Sequence, residues 1–340
     1  MSSIADDGPG SLRDAVRRAS EGDSILFDVQ GEIFLDSQIV INKSIGIFGP
    51  GADILEIKTI DSTRLILVEK NDTVYIDKLS FADGNATGYD PPYGGAISNN
   101  GVLTVKECNF HDNRATSGGA IENQAFGTTG NFLKVENCSF YHNLAIQPIP
   151  GFIEFGGAIY ADARNAGETA VEIINSTFAE NQAKISGGAI YLVGDAAGGA
   201  KLSMSNSTVA YNSVEGRCGG IDISQAEAVS LKNTLIANNQ GRADIPDIFG
   251  AMLSGGNNLI ADTSSSLVLV NAPATDLFEI EANLGPFGLN SGIFPTVSLA
   301  CGSPAIDAGD DAAAPNFDLR GQARVGTSDI GAYERNEAED

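Results

Sequence analysis

The sequence predicts an all-β solenoid, a stack of coils made of short strands. Three observations predict it. Between residues 93 and 239 one motif is written five times, opening with Gly94-Gly95-Ala96-Ile97, Gly118-Gly119-Ala120-Ile121, Gly156-Gly157-Ala158-Ile159, Gly187-Gly188-Ala189-Ile190 and a degenerate Cys218-Gly219-Gly220-Ile221. Each copy also sets an apolar residue three before an Asn: Phe110 with Asn113, Phe140 with Asn143, Phe178 with Asn181, Val209 with Asn212, Ile236 with Asn239. The tetrad Ile residues lie 24, 38, 31 and 31 residues apart, a period at which each unit buries its apolar face only against its neighbours. Finally, 40 Gly and no Trp in 340 residues suit short strands and tight turns.

Taken in order, residues 10–20 predict a short helix. Ser11 is placed to cap it, with Asp14 as an N3 carboxylate. Leu12, Ala15, Val16 and Ala19 form one apolar face and Arg13, Arg17 and Arg18 lie outside. Such a helix plugs the open end of a solenoid and blocks edge-to-edge pairing. Strands of three to five residues follow, such as Ile25-Leu26-Phe27 and Ile45-Gly46-Ile47-Phe48, broken by Gly, Asn and Asp. No helical segment intervenes, which excludes doubly wound and TIM-type folds.

Each repeat has room for three short strands per coil. Asn113, Asn143, Asn181, Asn212 and Asn239 predict one side-chain ladder, with Asn137, Asn175, Asn206 and Asn233 a second, because amides stacked at strand spacing bond along the column. Asn also tolerates the left-handed backbone of a tight corner, and the paired Gly suit corners of positive φ. Cys218 stands where the first Gly of a tetrad belongs. Cys108 and Cys138 share one repeat position and are expected on neighbouring rungs, about 4.8 Å apart, as buried thiols; a disulfide there is geometrically open but unusual along a ladder. The organisation expected is a capping segment over 1–22, the solenoid over 23–275, a C-terminal capping module over 276–335 and a disordered tail over 336–340.

Charge restricts function. The net charge of -24 argues against nucleic acid and anionic membrane surfaces, both of which need a basic protein face. No run of about 18 apolar residues predicts membrane insertion. The first residues have neither the basic region nor the apolar core of a signal peptide. Four Cys without a C-x-x-C, and only two His, do not suit a zinc site.

Three blocks carry a family resemblance. Asp7-Gly8-Pro9-Gly10-Ser11-Leu12-Arg13-Asp14-Ala15 with Gly22-Asp23-Ser24-Ile25 resembles the N-terminal segment of large secreted bacterial proteins with parallel β-helices. The Gly-Gly-Ala-Ile and Phe-x-x-Asn pair resembles the polymorphic outer-membrane protein (Pmp) repeat of autotransporter-like adhesins. Gly302-Ser303-Pro304-Ala305-Ile306-Asp307-Ala308-Gly309, with Asp318-Leu319-Arg320-Gly321 and Asp329-Ile330-Gly331-Ala332-Tyr333-Glu334, is similar to the C-terminal module of choice-of-anchor Q proteins. The resemblance implies a single-stranded right-handed parallel β-helix, related in shape to pectate lyases, with an N-terminal helical cap and an irregular C-terminal cap. It also implies a secreted or cell-surface protein, this chain being a fragment without its own signal peptide. It implies no reaction, and fold alone does not supply one.

Stacking lets outward columns be read. The residue after each tetrad Ile gives Ser98, Glu122, Tyr160, Tyr191 and Asp222. Alternation sends this column outside if the Ile is inside. Two Tyr flanked by carboxylates suit a sugar platform, so Glu122, Tyr160, Tyr191 and Asp222 are the expected ligand-binding residues; the structural alternative is an ordinary exposed sheet in which Tyr is a good strand former. The residue before each ladder Asn gives Asp112, His142, Glu180, Tyr211 and Asn238. Asp112, His142 and Glu180 are the only acid/base candidates, a pair of carboxylates being what glycosidic hydrolysis needs. His111 shows no cluster around it in the sequence. Lyase chemistry ranks lower, because no Lys or Arg recurs with Asp on adjacent rungs. No cofactor is required; Asp83-Gly84-Asn85 and residues 307–311 offer oxygen ligands suited to Ca²⁺. The function expected is a monomeric, non-enzymatic module binding a polysaccharide or a host or partner surface, the alternatives being a polysaccharide lyase or glycoside hydrolase and a passive stalk.

Overall fold

In a computed structural model the chain is a parallel β-helix; residues 1–125, 130–146, 154–164, 167–195, 198–241, 247–263, 267–271 and 273–336 are described. Parallel sheets of 17 and 10 strands run the length of the stack, with a four-stranded sheet of two-residue strands at one corner. The strand Ile248–Ser254 pairs with Ile221–Gln225 along its first half and with Ala228–Lys232 along its second, and so joins two faces into the 17-stranded sheet.

The repeat produces this architecture because it supplies three inward columns. Ile66, Ile97, Ile121, Ile159, Ile190, Ile221 and Ile248 follow one another in register. Ile57, Phe81, Phe110, Phe140, Phe178, Val209 and Ile236 form the second. Ile47, Ile76, Val105, Val135, Ile173, Met204 and Leu231 form the third. All are buried in one continuous core. Cys108 and Cys138 sit in that core as free thiols.

At the N-terminal end the helix Leu12–Arg18 forms as the sequence predicts. The Ser11 hydroxyl accepts from Asp14 N, and Leu12 and Val16 join the core. Asp14 is buried and bonded by Arg17 and Arg18.

The corners sharpen the expectation. The first Gly of each regular tetrad has φ between +62° and +64°. A Cβ there would approach the carbonyl oxygen three residues on to 2.1–2.4 Å, so only Gly fits. At Cys218 the backbone leaves this conformation, and its Sγ lies 3.2 Å from the Ile221 carbonyl. The pairing register shifts in the strand just beyond it.

The first Asn ladder forms throughout. Each Nδ2 donates to the next Oδ1 at 2.9 Å, from Asn113 through Asn143, Asn181 and Asn212 to Asn239. Asp247 closes it, accepting from Asn239 Nδ2 at 2.8 Å. These Asn do not take the left-handed corner; the residue before each one does, with φ between +55° and +61° at Asp112, His142, Glu180, Tyr211 and Asn238. The second column does take it, at Asn137, Asn175, Asn206 and Asn233, but it is not one ladder. Asn175 donates to Asn137 and Asn233 to Asn206, whereas the Asn206 amide donates to the Ala313 carbonyl.

That diversion reports where the C-terminal segment goes. Its expected place is the far end of the stack. Its contacts instead run back along the flank. The antiparallel pair Leu284–Gly288 and Thr296–Leu299 lies on the outer face of the 10-stranded sheet. Thr296 Oγ1 meets Thr177 Oγ1 at 2.8 Å, Ser139 donates to Pro295 O at 2.6 Å, and Val297 packs on Ala179 and Ala210. Phe294, Leu319 and Ala332 reach Ala52 in the early coils. The later coils present small outward residues and unspent Asn amides here, a surface that accepts a covering layer. Within the segment, Arg320 pairs with Asp318 (2.8 Å) and Arg324 with Glu334 (3.2 Å), all four side chains buried. The expected tail, from residue 337 on, lies outside the described residues.

Candidate binding surface

The two outward columns have opposite fates. Glu122, Tyr160, Tyr191 and Asp222 do stand on adjacent rungs, pointing away from the Ile column. Their expected exposure is overturned: all four are buried. A second layer covers them. Phe155 stacks on Tyr191 at 4.0 Å and Tyr93 packs on Tyr160 at 5.7 Å. Arg64 ties the covering segment down through the carbonyls of Pro91, Tyr93 and Gly94. Arg164 bonds the Asp162 carboxylate and the Tyr160 hydroxyl, and Ser186 and Arg217 hold Asp222. Burial pushes the Glu122 carboxyl up to about 7 against the pull of Ser98 and Arg64. Strand alternation gives the direction of a side chain but not what lies over it. Of residues 147–155, which lengthen the 38-residue coil, only Glu154 and Phe155 are among the described residues.

The column before the ladder is open to solvent. Asp112, His142 and Glu180 have 50%, 48% and 43% of their side chains exposed. His142 Nε2 lies 2.7 Å from Glu180 Oε2, and its Nδ1 faces Asp112 Oδ1 at 3.9 Å. The structure adds a partner set that the repeat alignment missed. His111 Nδ1 meets Asp112 Oδ2 at 2.7 Å and its Nε2 meets Glu56 Oε1 at 2.9 Å. Lys58 joins Glu56, Glu32 and Asp83 at 3.0, 3.2 and 3.3 Å. The His111 ring stacks on Tyr141 at 4.9 Å, and Tyr141 touches Phe287 at 5.6 Å. Glu56 is 55 residues before His111, in a coil that precedes the first tetrad. The strand Leu55–Lys58, apolar and polar in alternation, is the signal that extends the column.

These residues share one face for a topological reason. In register, Phe34, Lys58, Ala82, His111 and Tyr141 form one outward column of the 10-stranded sheet. The C-terminal pair covers the same sheet from Ser139 onward. The part it leaves bare carries His111, and His142 and Glu180 stand exposed at the corner beside the covered rungs.

His111 is held as a cation. Burial opposes its charge, but the hydrogen bonds to Asp112 and Glu56 outweigh this and raise it to about 9. Glu56 is lowered to about 2 by the His111 bond, against burial and with help from Lys58. The imidazolium is the form that folding favours. Its stabilisation is therefore whole below the ordinary value of 6.5 and is lost as pH rises through about 9. Glu56 contributes above 4.5, and this is lost as pH falls towards about 2. We expect thermal unfolding of the native chain to fall between pH 6.5 and 9 relative to His111→Gln, measured in parallel buffers; parallel curves would refute the lock.

The loops read as oxygen-rich use their carboxylates locally: Asp83 pairs with Lys58 and Asp310 with Lys232 at 2.8 Å. Among the described residues no group of three His, Cys, Asp or Glu is placed to hold a metal ion, and no helix is long and apolar enough to cross a membrane.

Fold and repeat together define a parallel β-helix protein of the kind built from short Gly-Gly-Ala-Ile and Phe-x-x-Asn units. Residues 175–192 match the model of the Chlamydia polymorphic membrane protein (Chlamydia_PMP) repeat. The match spans one unit, with Phe178, Asn181 and Gly187-Gly188-Ala189-Ile190, and the chain resembles Pmp-repeat proteins. It gives coarse support for a place among bacterial outer-membrane or cell-surface proteins. No curated protein matches the chain. For the C-terminal blocks the choice-of-anchor Q likeness remains one of motifs.

Proposed function

We propose that this chain is an adhesin-like cell-surface module, non-enzymatic, that binds a glycan or a partner surface through the bare half of the 10-stranded sheet. One observation carries the reading. Asp112, His142 and Glu180 occupy left-handed corners on successive rungs, with their side chains exposed. That conformation costs an L-residue about 1–2 kcal/mol, and Gly or Asn would fill it more easily. Strained side chains kept on a surface point to use. The buried Tyr160 and Tyr191 column serves as scaffold in this reading.

Two single substitutions test it. His142→Gly and Glu180→Gly are each expected to leave stability unchanged or raise it by up to about 1 kcal/mol, as strain relief offsets glycine's entropy. Each is expected to reduce binding on a glycan array or to whole cells at least tenfold. Retention of binding in both variants would place the site elsewhere. The same Asp112, His142 and Glu180 are the residues of the hydrolase reading. Release of reducing ends from a polysaccharide panel would favour it, and silence in every assay would favour a stalk.

A further inference from the structure

We propose that the ligand of this bare face is a cationic sugar, a glycan chain carrying free amino groups. The inference rests on the binding reading above and adds the chemistry of the ligand. Its ground is an inventory of unspent valences. Lys58 Nζ is surrounded by Glu56, Glu32 and Asp83. Both nitrogens of His111 face carboxylates, as does Nε2 of His142. The cations of the face are thus engaged with their own neighbours, and the oxygens left over belong to carboxylates. Glu32, Glu56, Asp83, Asp112 and Glu180 make five acids against Lys58, His111 and His142. Five acids against three basic side chains leave two carboxylates without a basic partner of their own. A ligand that completes the face donates hydrogen bonds and brings positive charge.

A second observation, independent of the acids, points the same way. Asn109 stands on this outward side of the sheet, since its neighbour Phe110 is in the core. It is 6% exposed, and its Oδ1 has no hydrogen-bond partner. Ser80, its register neighbour, donates to Glu56 Oε1 at 3.2 Å. A buried acceptor beside the acid row is a further place for an incoming O–H or N–H.

The rings decide between a sugar and a basic peptide. Phe34 is exposed at one end of the outward column, and Tyr141 with Phe287 closes the other. Four rung steps separate Phe34 from Tyr141, on the order of 19 Å. Tyr141 is already stacked on His111, so the exposed ring is Phe34, with Lys58 Nζ 5.8 Å from its centroid; a flat apolar ring at the end of an acceptor row suits a pyranose chain, whose C–H face stacks while its hydroxyl and ammonium groups donate. Uronate or sulfated chains would be repelled. A neutral chain would leave the two carboxylates unmatched.

The test is calorimetric titration of the whole protein with a glucosamine hexamer, its fully N-acetylated counterpart, polygalacturonate and a hexalysine peptide. We expect the glucosamine hexamer to bind at least tenfold more tightly than the acetylated one, with affinity falling as salt rises, and polygalacturonate to give no heat. Asp112→Asn with Glu180→Gln is expected to cost at least tenfold. Both side chains are about half exposed, and a single cooperative unfolding transition, lowered only by the loss of the His111–Asp112 bond, verifies that the fold persists; Glu32→Gln is a further exposed variant with the same expected direction. Equal or tighter binding of the acetylated hexamer through these residues overturns the amino-sugar inference and leaves the binding reading standing. Tighter binding of hexalysine overturns the sugar in favour of a basic peptide. No binding by these ligands or by a broad glycan array overturns both.

Discussion

Asn181→Leu is expected to destabilise the protein by roughly 3–6 kcal/mol, a large part of the stability of any domain. Asn181 is fully buried and makes four side-chain bonds. Its Oδ1 accepts from Asn143 N at 3.1 Å and from Asn143 Nδ2 at 2.9 Å. Its Nδ2 donates to Phe140 O and to Asn212 Oδ1, each at 2.9 Å. Leu has similar bulk and none of these groups. It would strand the Asn143 N–H, one hydrogen of the Asn143 amide and the Phe140 carbonyl in the interior. Each such group costs about 1–3 kcal/mol when its partner is removed. Denaturant unfolding with an unchanged slope measures the loss. Asn238→Gly is the control, because Asn238 is the exposed corner residue two coils on and its change should cost little. A loss below about 1 kcal/mol for Asn181→Leu would show that the ladder is ornamental. Asn181→Asp should fall between, since a carboxylate accepts from Asn143 but donates nothing to Phe140 or Asn212. The protein uses Asp only at the end of the ladder, where Asp247 accepts from Asn239 N, Asn239 Nδ2 and Asp262 N.

Phe140→Ala is expected to cost about 3–5 kcal/mol. The ring is fully buried and stacks on Phe110 at 4.6 Å and on Phe178 at 4.7 Å, with planes within 8°. The site has little means of collapse. The rungs on either side are held at strand spacing by the backbone ladder and by the Asn column, so the neighbouring rings cannot close the gap. Phe140→Leu should cost far less, because this column already accepts an aliphatic at Val209 and Ile236. A small loss for Phe140→Ala, or equal losses for the two variants, would mean that the core relaxes along the stack.

Much of the scaffold was legible because each feature repeats. Phe, Ile and Asn recur at one position per coil, and stacking turns a linear period into a column. The Phe stack, the first Asn ladder, the glycine corners and the Ser11-capped helix all follow from residues near one another in sequence or at equivalent positions. The left-handed corner was misplaced by one residue: Asp112, His142, Glu180 and Tyr211 take it, although of these only Asp and His have a propensity for it. The exposure of Asp112, His142 and Glu180 was legible. The lock on His111 was not, because Glu56 belongs to a coil outside the recognisable repeat.

The sequence by itself determined the rungs, their inward residues and the direction of each outward side chain. It did so because those properties depend on strand alternation and on the nearest coils. Only the tertiary structure decided which outward column meets solvent. Tyr160 and Tyr191 are covered by Tyr93 and Phe155, and Ser139 and Thr177 by a segment 156 and 119 residues away. A covering layer has no period of its own. It is placed by what the flank offers, small residues and unspent amides, and it stops where His111, Asp112 and Glu56 bind one another.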